Sequence, residues 1–318
     1  VNKLTATNTG DTLCDENAKV KFDPIHFPRP VLSMAIYAEK KGEEDKIFQG
    51  LNKLSEEDYT FNVAKNAETG EMLISGQGET HLDVLNKKLK AKFNVSAVLK
   101  TPKIAYRETI RKKVEAEGKH KKQSGGHGQY GHCKVRFEPF DGEFEFAEEV
   151  VGGSVPKQYI PAVEKGLIEC LPHGVLAGYP VTGLRAVLYD GSYHDVDSSE
   201  MAFKLAAALA FKEGLKNASP CLLEPIMKLK IAIPEAYLGD IMGDMNKRRG
   251  RILGIDMIEG MQVVNAEAPQ SELQKYATDL RSMTQGRGKF MAELSRYEEV
   301  PAPEAEKIIK ARAAEQQG

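Results

Sequence analysis

Two segments of the sequence carry side chains with the potential for chemistry. Ser124–His132 holds four glycines and two histidines in nine residues, and Gly191–Glu200 holds Ser192, His194 and Asp195. Serine, histidine and aspartate can build a hydrolase triad, and histidine with carboxylates can hold a metal. Residues that are adjacent on one loop rarely reach the geometry of a triad, and the serine lacks the G-x-S-x-G motif. We therefore predict no catalytic residue and no metal site.

The glycine-rich segment Ser124–His132 is better suited to contact than to catalysis. Glycines allow a backbone to approach phosphates closely, and Tyr130 offers a ring on which a base can stack. Lys119, Lys121 and Lys122 precede the segment and add positive charge. The glycine order matches neither the P-loop nor the dinucleotide fingerprint, so nucleotide binding is not predicted. An ordinary hairpin loop is the alternative.

A third group of interest is basic and lies in the last quarter of the chain. Lys247, Arg248 and Arg249 fall at the expected C-terminus of a helix. Positive charge there is favoured by the helix dipole, so helix stabilisation is one explanation. The other is contact with RNA phosphates, which positions a protein without reading base sequence.

The elements around these segments form a repeated pattern. Phe27–Ile104 and Pro225–Val300 each show the order strand, helix, strand, strand, helix, strand. Within the first, Glu79–Phe93 places its leucines at helical spacing. We predict two ferredoxin-like βαββαβ sandwiches, each an antiparallel sheet with helices on one face, within an α+β multidomain chain.

The segment between the two repeats, Ala105–Leu223, is organised differently. It contains a strand at Gly131–Glu138, a helix at Lys157–Cys170 and an alanine-rich helix at Ser199–Asn217. Either Ser198 or Asp197 is the expected N-cap of that last helix. The two polar loops therefore belong to a central domain, flanked by the βαββαβ units.

Composition limits the class of protein. The chain has 318 residues, a formal net charge of −2 and four cysteines without a C-x-x-C pair. That length predicts more than one domain, and the near-neutral charge requires that any RNA contact come from local basic surface. The cysteine pattern is typical of reduced thiols. With neither an apolar span nor a signal-peptide layout, we expect a cytoplasmic protein without membrane contact.

Several longer stretches together resemble one family. They are S-G-G-H-G-Q-Y-G-H from Ser124, Y-I-P-A-V-E-K-G from Tyr159, G-S-Y-H-D-V-D-S-S-E from Gly191, L-L-E-P-I-M from Leu222, G-D-M-N-K-R-R-G from Gly243 and Y-A-T-D-L-R-S-M-T-Q-G-R-G from Tyr276. In this order they resemble elongation factor G over essentially the whole chain.

The resemblance implies a domain organisation. Residues 1–22, which read as polar turns with one short strand, would end the preceding β-barrel domain II. Residues 23–104 would form the ferredoxin-like domain III, and residues 224–318 the ferredoxin-like domain V with a C-terminal helix. Residues 105–223 would form domain IV, an elongated α+β domain (ribosomal protein S5 domain 2-like) that enters the ribosome.

The resemblance also implies a function and a set of contact residues. The full protein would be a GTPase that uses GTP and Mg²⁺ in a domain absent here and promotes tRNA–mRNA translocation. This part would carry no cofactor, bind both ribosomal subunits and act as a monomer. The implied contacts with tRNA, mRNA and the decoding region are Ser124, Gly125, Gly126, His127, Gly128, Gln129, Tyr130, Ser192, Tyr193, His194, Asp195, Val196 and Asp197. The implied rRNA contacts are Lys119, Lys121, Lys122, Lys247, Arg248 and Arg249.

Two departures from the family keep alternatives open. His127 stands where the family usually has arginine, and Cys133 where an aliphatic residue is more usual. Loss of a fixed positive charge weakens an electrostatic contact with RNA. The alternatives are a paralogue that acts in ribosome recycling or antibiotic displacement, and a non-enzymatic rRNA-binding module.

Overall fold

The computed structural model describes residue 7, residues 9–123 and residues 128–317. The chain divides into two compact units. The first comprises Val1–Ala105 and Ile226–Arg296, and the second Tyr106–Pro225 and Tyr297–Gly318. Across the described residues, no helix is both long enough and apolar enough to cross a membrane.

The first unit opens with one βαββαβ module. Its elements are β1 (Leu32–Ala38), α1 (Glu44–Ser55), β2 (Asn62–Lys65), β3 (Met72–Gly76), α2 (Glu79–Phe93) and β4 (Ala97–Lys100). The strand order β2-β3-β1-β4 is antiparallel throughout. Leucines of both helices are fully buried in one core with Ile36 and Ile74, so the helices cover a single face of the sheet.

The second unit holds the central domain. Its elements are β5 (Arg107–Ile110), β6 (Val114–Lys122), β7 (Gln129–Pro139), β8 (Phe144–Glu148), α3 (Ile160–Cys170), β9 (Leu184–Ser192) and α4 (Glu200–Asn217). The sheet order is β6-β7-β9-β8, in which only the β8–β9 pair is parallel. One core lies under this sheet, with Phe137 of β7 edge-on to Phe211 of α4.

The second βαββαβ module follows in sequence, and most of it, residues Ile226–Arg296, belongs to the first unit. Its elements are β10 (Pro220–Ile233), α5 (Leu238–Lys247), β11 (Arg251–Ile258), β12 (Met261–Pro269), α6 (Tyr276–Met283) and β13 (Lys289–Glu299), and α7 (Ala302–Gln317) ends the chain. The order β11-β12-β10-β13 repeats that of the first module. Glu259 and Gly260 both have positive φ, as the tight turn between β11 and β12 requires.

These topologies confirm the predicted α+β class with two ferredoxin-like modules, and each module has its own core. One strand is longer than predicted. β10 starts at Pro220 because residues 220–223 pair with β5 in the second unit, while Ile226–Ile233 pairs with β12 in the first. Sequence periodicity cannot show that one strand serves two partners.

Two other expectations have different outcomes. The short strand predicted within residues 1–22 is not found in their described part, which shows only an isolated bridge between Asp15 and Ala18. The domain limits at residues 22, 104 and 223 stay predictions.

Candidate functional site

The pairing of β6 with β7 brings the lysine run beside the described end of the glycine-rich segment. In its register Lys121 lies opposite Tyr130, and Lys122 opposite Gln129. Lys119, Lys121 and Lys122 are all exposed, and the Lys119 ammonium lies 6.0 Å from the centroid of the Tyr130 ring. The predicted contact residues Ser124, Gly125, Gly126 and His127 lie outside the described residues.

The second polar loop lies directly against the first. Asp197 joins the two loops by two hydrogen bonds. Its Oδ1 accepts the Gly128 N–H at 2.9 Å, and its backbone oxygen accepts the Tyr130 N–H at 2.8 Å. The two loops, distant in sequence, therefore form one surface. We call residues 128–130 and 192–197 the two-loop surface.

Tyr130 is the centre of the two-loop surface. Its hydroxyl lies 2.7 Å from Ser192 Oγ, and its ring centroid lies 6.4 Å from that of His194. His194 is more than half exposed, with its side chain at 57%. Its backbone N–H donates to Ser198 Oγ at 2.9 Å, and its Nδ1 lies 3.3 Å from the Asp197 backbone nitrogen. The imidazole is thus held by its own loop while the ring stays accessible.

The exposed side chains of the two-loop surface are suited to contact with unpaired bases. Tyr193 is 47% exposed and Val196 is 63% exposed, and Asp195 is exposed beside them. Single-stranded RNA is recognised by stacking on aromatic rings and by hydrogen bonds to base edges. This surface offers both, with lysines alongside for phosphates.

The arrangement does not assemble the triad that the loop composition allowed. Ser192 Oγ lies 2.7 Å from His132 Nδ1, whereas His194 Nδ1 lies 3.5 Å from Asp197 Oδ2. Ser192 and His194 thus belong to different networks. In the part of the chain that the structure describes, no group of three His, Cys, Asp or Glu residues could hold a metal ion.

The N-cap prediction was wrong: the observed cap lies one residue after Ser198 and two after Asp197. Ser199 caps α4, and its Oγ accepts the Ala202 N–H at 3.2 Å. The residues predicted for that role, Asp197 and Ser198, instead accept hydrogen bonds from Gly128 and His194. The Asp197 side chain thus joins the two loops, and the Ser198 side chain closes a turn within its own loop.

Glycines near the surface have two different roles. A Cβ on Gly131 would overlap the Ala202 carbonyl of α4, and a Cβ on Gly118 would overlap that of Ala206. These two glycines let α4 lie against β6 and β7. Gly131 belongs to the glycine-rich segment, so part of the glycine content of that segment serves packing against α4 and does not indicate close contact with RNA.

The basic cluster of the last module splits into one partly buried member and two exposed members. Arg248 donates to Asp244 at 2.7 Å and Asp279 at 2.6 Å, and its side chain is only 15% exposed. It therefore ties α5 to α6. Lys247 and Arg249 are more accessible, and Arg249 pairs with Glu272 at 3.0 Å. Of the three, Lys247 and Arg249 keep the accessibility that an rRNA contact needs, while the geometry of Arg248 favours a structural role.

Two titratable groups near the surface are perturbed. Burial raises the pKa of the Cys133 thiol to about 12, because the side chain lies in the core. The Lys134 ammonium, 2.9 Å away, together with the Gly191 N–H, lowers the pKa of Asp190 to about 2. The cysteine that departs from the resembled family is therefore a core residue, which removes it from any direct contact with RNA.

His132 and Glu117 were missed by sequence reasoning, which treated His132 only as the end of a motif. His132 is nearly buried, and its Nε2 lies 2.9 Å from Glu117 Oε1. The available signal was the alternation of polar residues along β6 and β7, which places Glu117, Lys119, Tyr130 and His132 on one face.

Comparison with known families agrees with the resemblance noted in the sequence. Family models match the chain in three consecutive segments: elongation factor G domain III at residues 27–101, elongation factor G domain IV at residues 102–219, and the elongation factor G C-terminus at residues 221–308. Among solved structures, a protein from Thermus thermophilus is similar, with 42% identity and a TM-score of 0.83. The match covers 95% of this chain and 45% of that one, so this chain spans less than half of that relative.

Proposed function

Because this chain belongs to the elongation factor G family, we propose that it is the ribosome-binding part of a translational GTPase that promotes tRNA–mRNA translocation. The matched segments are domains III and IV and the C-terminus of that family. In this proposal the domain at residues 102–219 enters the decoding region, and the exposed bases and phosphates of tRNA and mRNA contact its loops.

The single observation that carries the proposal is the junction of the two polar loops. Asp197 and Tyr130 unite residues from both loops into one exposed surface with an aromatic centre. Lys119, Lys121 and Lys122 flank it on the adjoining strand. The hydrolase triad that the composition of the second loop allowed is not assembled, because Ser192 and His194 lie in separate networks.

The whole protein would bind GTP and Mg²⁺ in a domain outside these residues and act as a monomer in the cytoplasm. Its partners would be both ribosomal subunits with their rRNA, together with tRNA and mRNA. GTP hydrolysis would commit the domain at residues 102–219 to the decoding region. Occupation of that region would block the return of tRNA after the subunits rotate.

The test is movement of mRNA on pre-translocation ribosomes by the full-length protein with GTP. His194→Ala should slow movement while ribosome affinity stays nearly unchanged, because one neutral hydrogen bond contributes only about 0.5–1.5 kcal/mol. His173→Ala, which replaces an exposed histidine that is not part of the two-loop surface, is the matched control. Ribosome binding and GTP turnover without mRNA movement would count against translocation.

A second candidate is a paralogue that recycles ribosomes or displaces an antibiotic. The observation behind it is His127, which stands where the family usually has arginine. Cys133, the other departure from the family pattern, lies in the core. A ribosome-splitting assay on the same preparation separates the two candidates: splitting without movement would favour recycling.

A further inference from the structure

One face of the central sheet carries a chain of four polar side chains that leads into the two-loop surface. Glu117 lies on β6, Tyr130 and His132 on β7, and Ser192 at the end of β9. Glu117 Oε1 lies 2.9 Å from His132 Nε2, and His132 Nδ1 lies 2.7 Å from Ser192 Oγ. Ser192 Oγ lies 2.7 Å from the Tyr130 hydroxyl.

The sheet register explains why these side chains meet. His132 pairs with Ser192 across β7 and β9, and with Lys119 across β6 and β7. Alternate residues of a strand share a face, so Tyr130 and His132 point to the same side. The four residues thus lie on three hydrogen-bonded strands of one sheet.

His132 differs from the other members of the chain in its burial. It is 9% exposed, whereas the Glu117 side chain is 55% exposed and Tyr130 is half-buried. Its Nδ1 is hydrogen-bonded to Ser192, while its Nε2 is buried and close to the Glu117 carboxylate without the alignment of a hydrogen bond. The contact with Glu117 is therefore electrostatic, and the bond to Ser192 is the one that orients the ring.

The chemistry of the four side chains determines which atom donates in each hydrogen bond between them. An ionised carboxylate offers only lone pairs, so a lone pair on Nε2 would be repelled at 2.9 Å and Nε2 carries the hydrogen. In the neutral ring Nδ1 then accepts from the Ser192 hydroxyl. The Ser192 oxygen is left to accept from the Tyr130 hydroxyl, and hydrogen bonds linked in one direction reinforce each other.

We propose that His132 is a positioning residue for the two-loop surface: acting through Ser192, it fixes the orientation of Tyr130 and makes its hydroxyl a donor towards the protein. The Tyr130 ring then has a set place beside His194 and the Lys119 ammonium. This inference rests on the proposed function for its purpose, because the ordered ring is the one that an RNA base would meet.

The first experiment uses NMR on this protein, with ¹⁵N-labelled histidine and ¹³C-labelled tyrosine, to observe the linked side chains of His132 and Tyr130 directly. We expect the neutral Nε2–H tautomer at His132. His132→Gln and Ser192→Ala should each move the ring signals of Tyr130, because both remove a member of the chain. His173→Gln, an exposed histidine on another loop, should leave those signals unchanged. The Nδ1–H tautomer, or Tyr130 signals unmoved in both variants, would overturn the inference.

The second experiment asks whether His132 acts through Tyr130. In the full-length protein, His132→Gln and Tyr130→Phe should each slow mRNA movement by about 2- to 10-fold, the range expected for one neutral hydrogen bond. The double variant should be no slower than Tyr130→Phe, since the hydroxyl that His132 positions is already gone. Losses that multiply would show a role of His132 separate from Tyr130 and would overturn the inference.

The two experiments separate the inference from the proposed function. If the wild-type protein moves no mRNA, the proposed function fails, and the NMR experiment still decides whether His132 positions Tyr130. If mRNA moves and the Tyr130 signals do not respond to His132 or Ser192, the inference alone fails.

Discussion

Replacing Asp197 with alanine should release Gly128 from the second loop. The carboxylate accepts the Gly128 N–H at 2.9 Å, and the side chain is 26% exposed. Loss of a charged acceptor costs about 1–3 kcal/mol, and partial exposure places this case in the lower part of that range. A loss of about 1–2 kcal/mol corresponds to roughly 5- to 30-fold in an equilibrium constant.

Amide hydrogen exchange measures this release at single residues. When opening is fast and reversible, the protection of an amide reports the free energy of local opening. The Gly128 amide of Asp197→Ala should therefore exchange roughly 5- to 30-fold faster than in the wild type. The Tyr130 amide should change less, because it donates to the Asp197 backbone oxygen, which alanine retains.

The matched control is Asp195→Ala, which removes the same chemical group two residues away. Asp195 is exposed, and the carboxylate that accepts the Gly128 N–H is that of Asp197. Equal acceleration in both variants would indicate a general charge effect. Unchanged protection of Gly128 in Asp197→Ala would refute the claim that this carboxylate joins the loops.

Packing and titration give three further predictions. Gly118→Ala should destabilise the contact of α4 with the sheet by about 1–3 kcal/mol, because the new methyl group would overlap the helix backbone. Gly243→Ala in α5 should stabilise that helix by about 0.5–1 kcal/mol, because its methyl group would meet open space. Amide hydrogen exchange in α4 and in α5 measures the two effects. In the folded protein at pH 8, Cys14 should react rapidly with a thiol reagent, and Cys133, buried with its pKa raised to about 12, only after unfolding, as mass spectrometry of the labelled peptides would show. The pKa of Asp190 is lowered from 3.8 to about 2, so its contribution to stability is present above pH 4 and is lost as pH falls towards 2. The free energy of unfolding of the wild type should therefore fall more steeply over that interval than that of Asp190→Asn, and equal slopes would contradict this.

The secondary structure was readable from the sequence because burial is periodic along each element. Leu82, Leu85 and Leu89 repeat at helical spacing and are all buried in α2, whose bounds match the prediction at Glu79–Phe93. The order of elements then limits the possible topologies, and the same order twice predicts two sandwiches of one kind. Local pattern was sufficient because each module buries its own apolar faces.

The roles of individual polar residues were harder to predict from the sequence. The sequence predicts Ser198 or Asp197 as the N-cap of α4, but Ser199 is the cap and Asp197 holds Gly128. It also predicts Arg248 at an RNA surface, and Arg248 lies between two carboxylates of its own module. The contacts proposed for the four positions from Ser124 to His127 remain predictions.

The sequence by itself determined the α+β class, the two βαββαβ modules and the family, since these depend on periodicity, element order and contiguous motifs. Tertiary structure alone decided which polar groups meet. The hydroxyl of Tyr130 reaches Ser192 across 62 positions, and His132 joins them only because the β7–β9 register places it opposite Ser192. Register and helix packing are global properties of the folded sheet, so no local stretch of residues contains them.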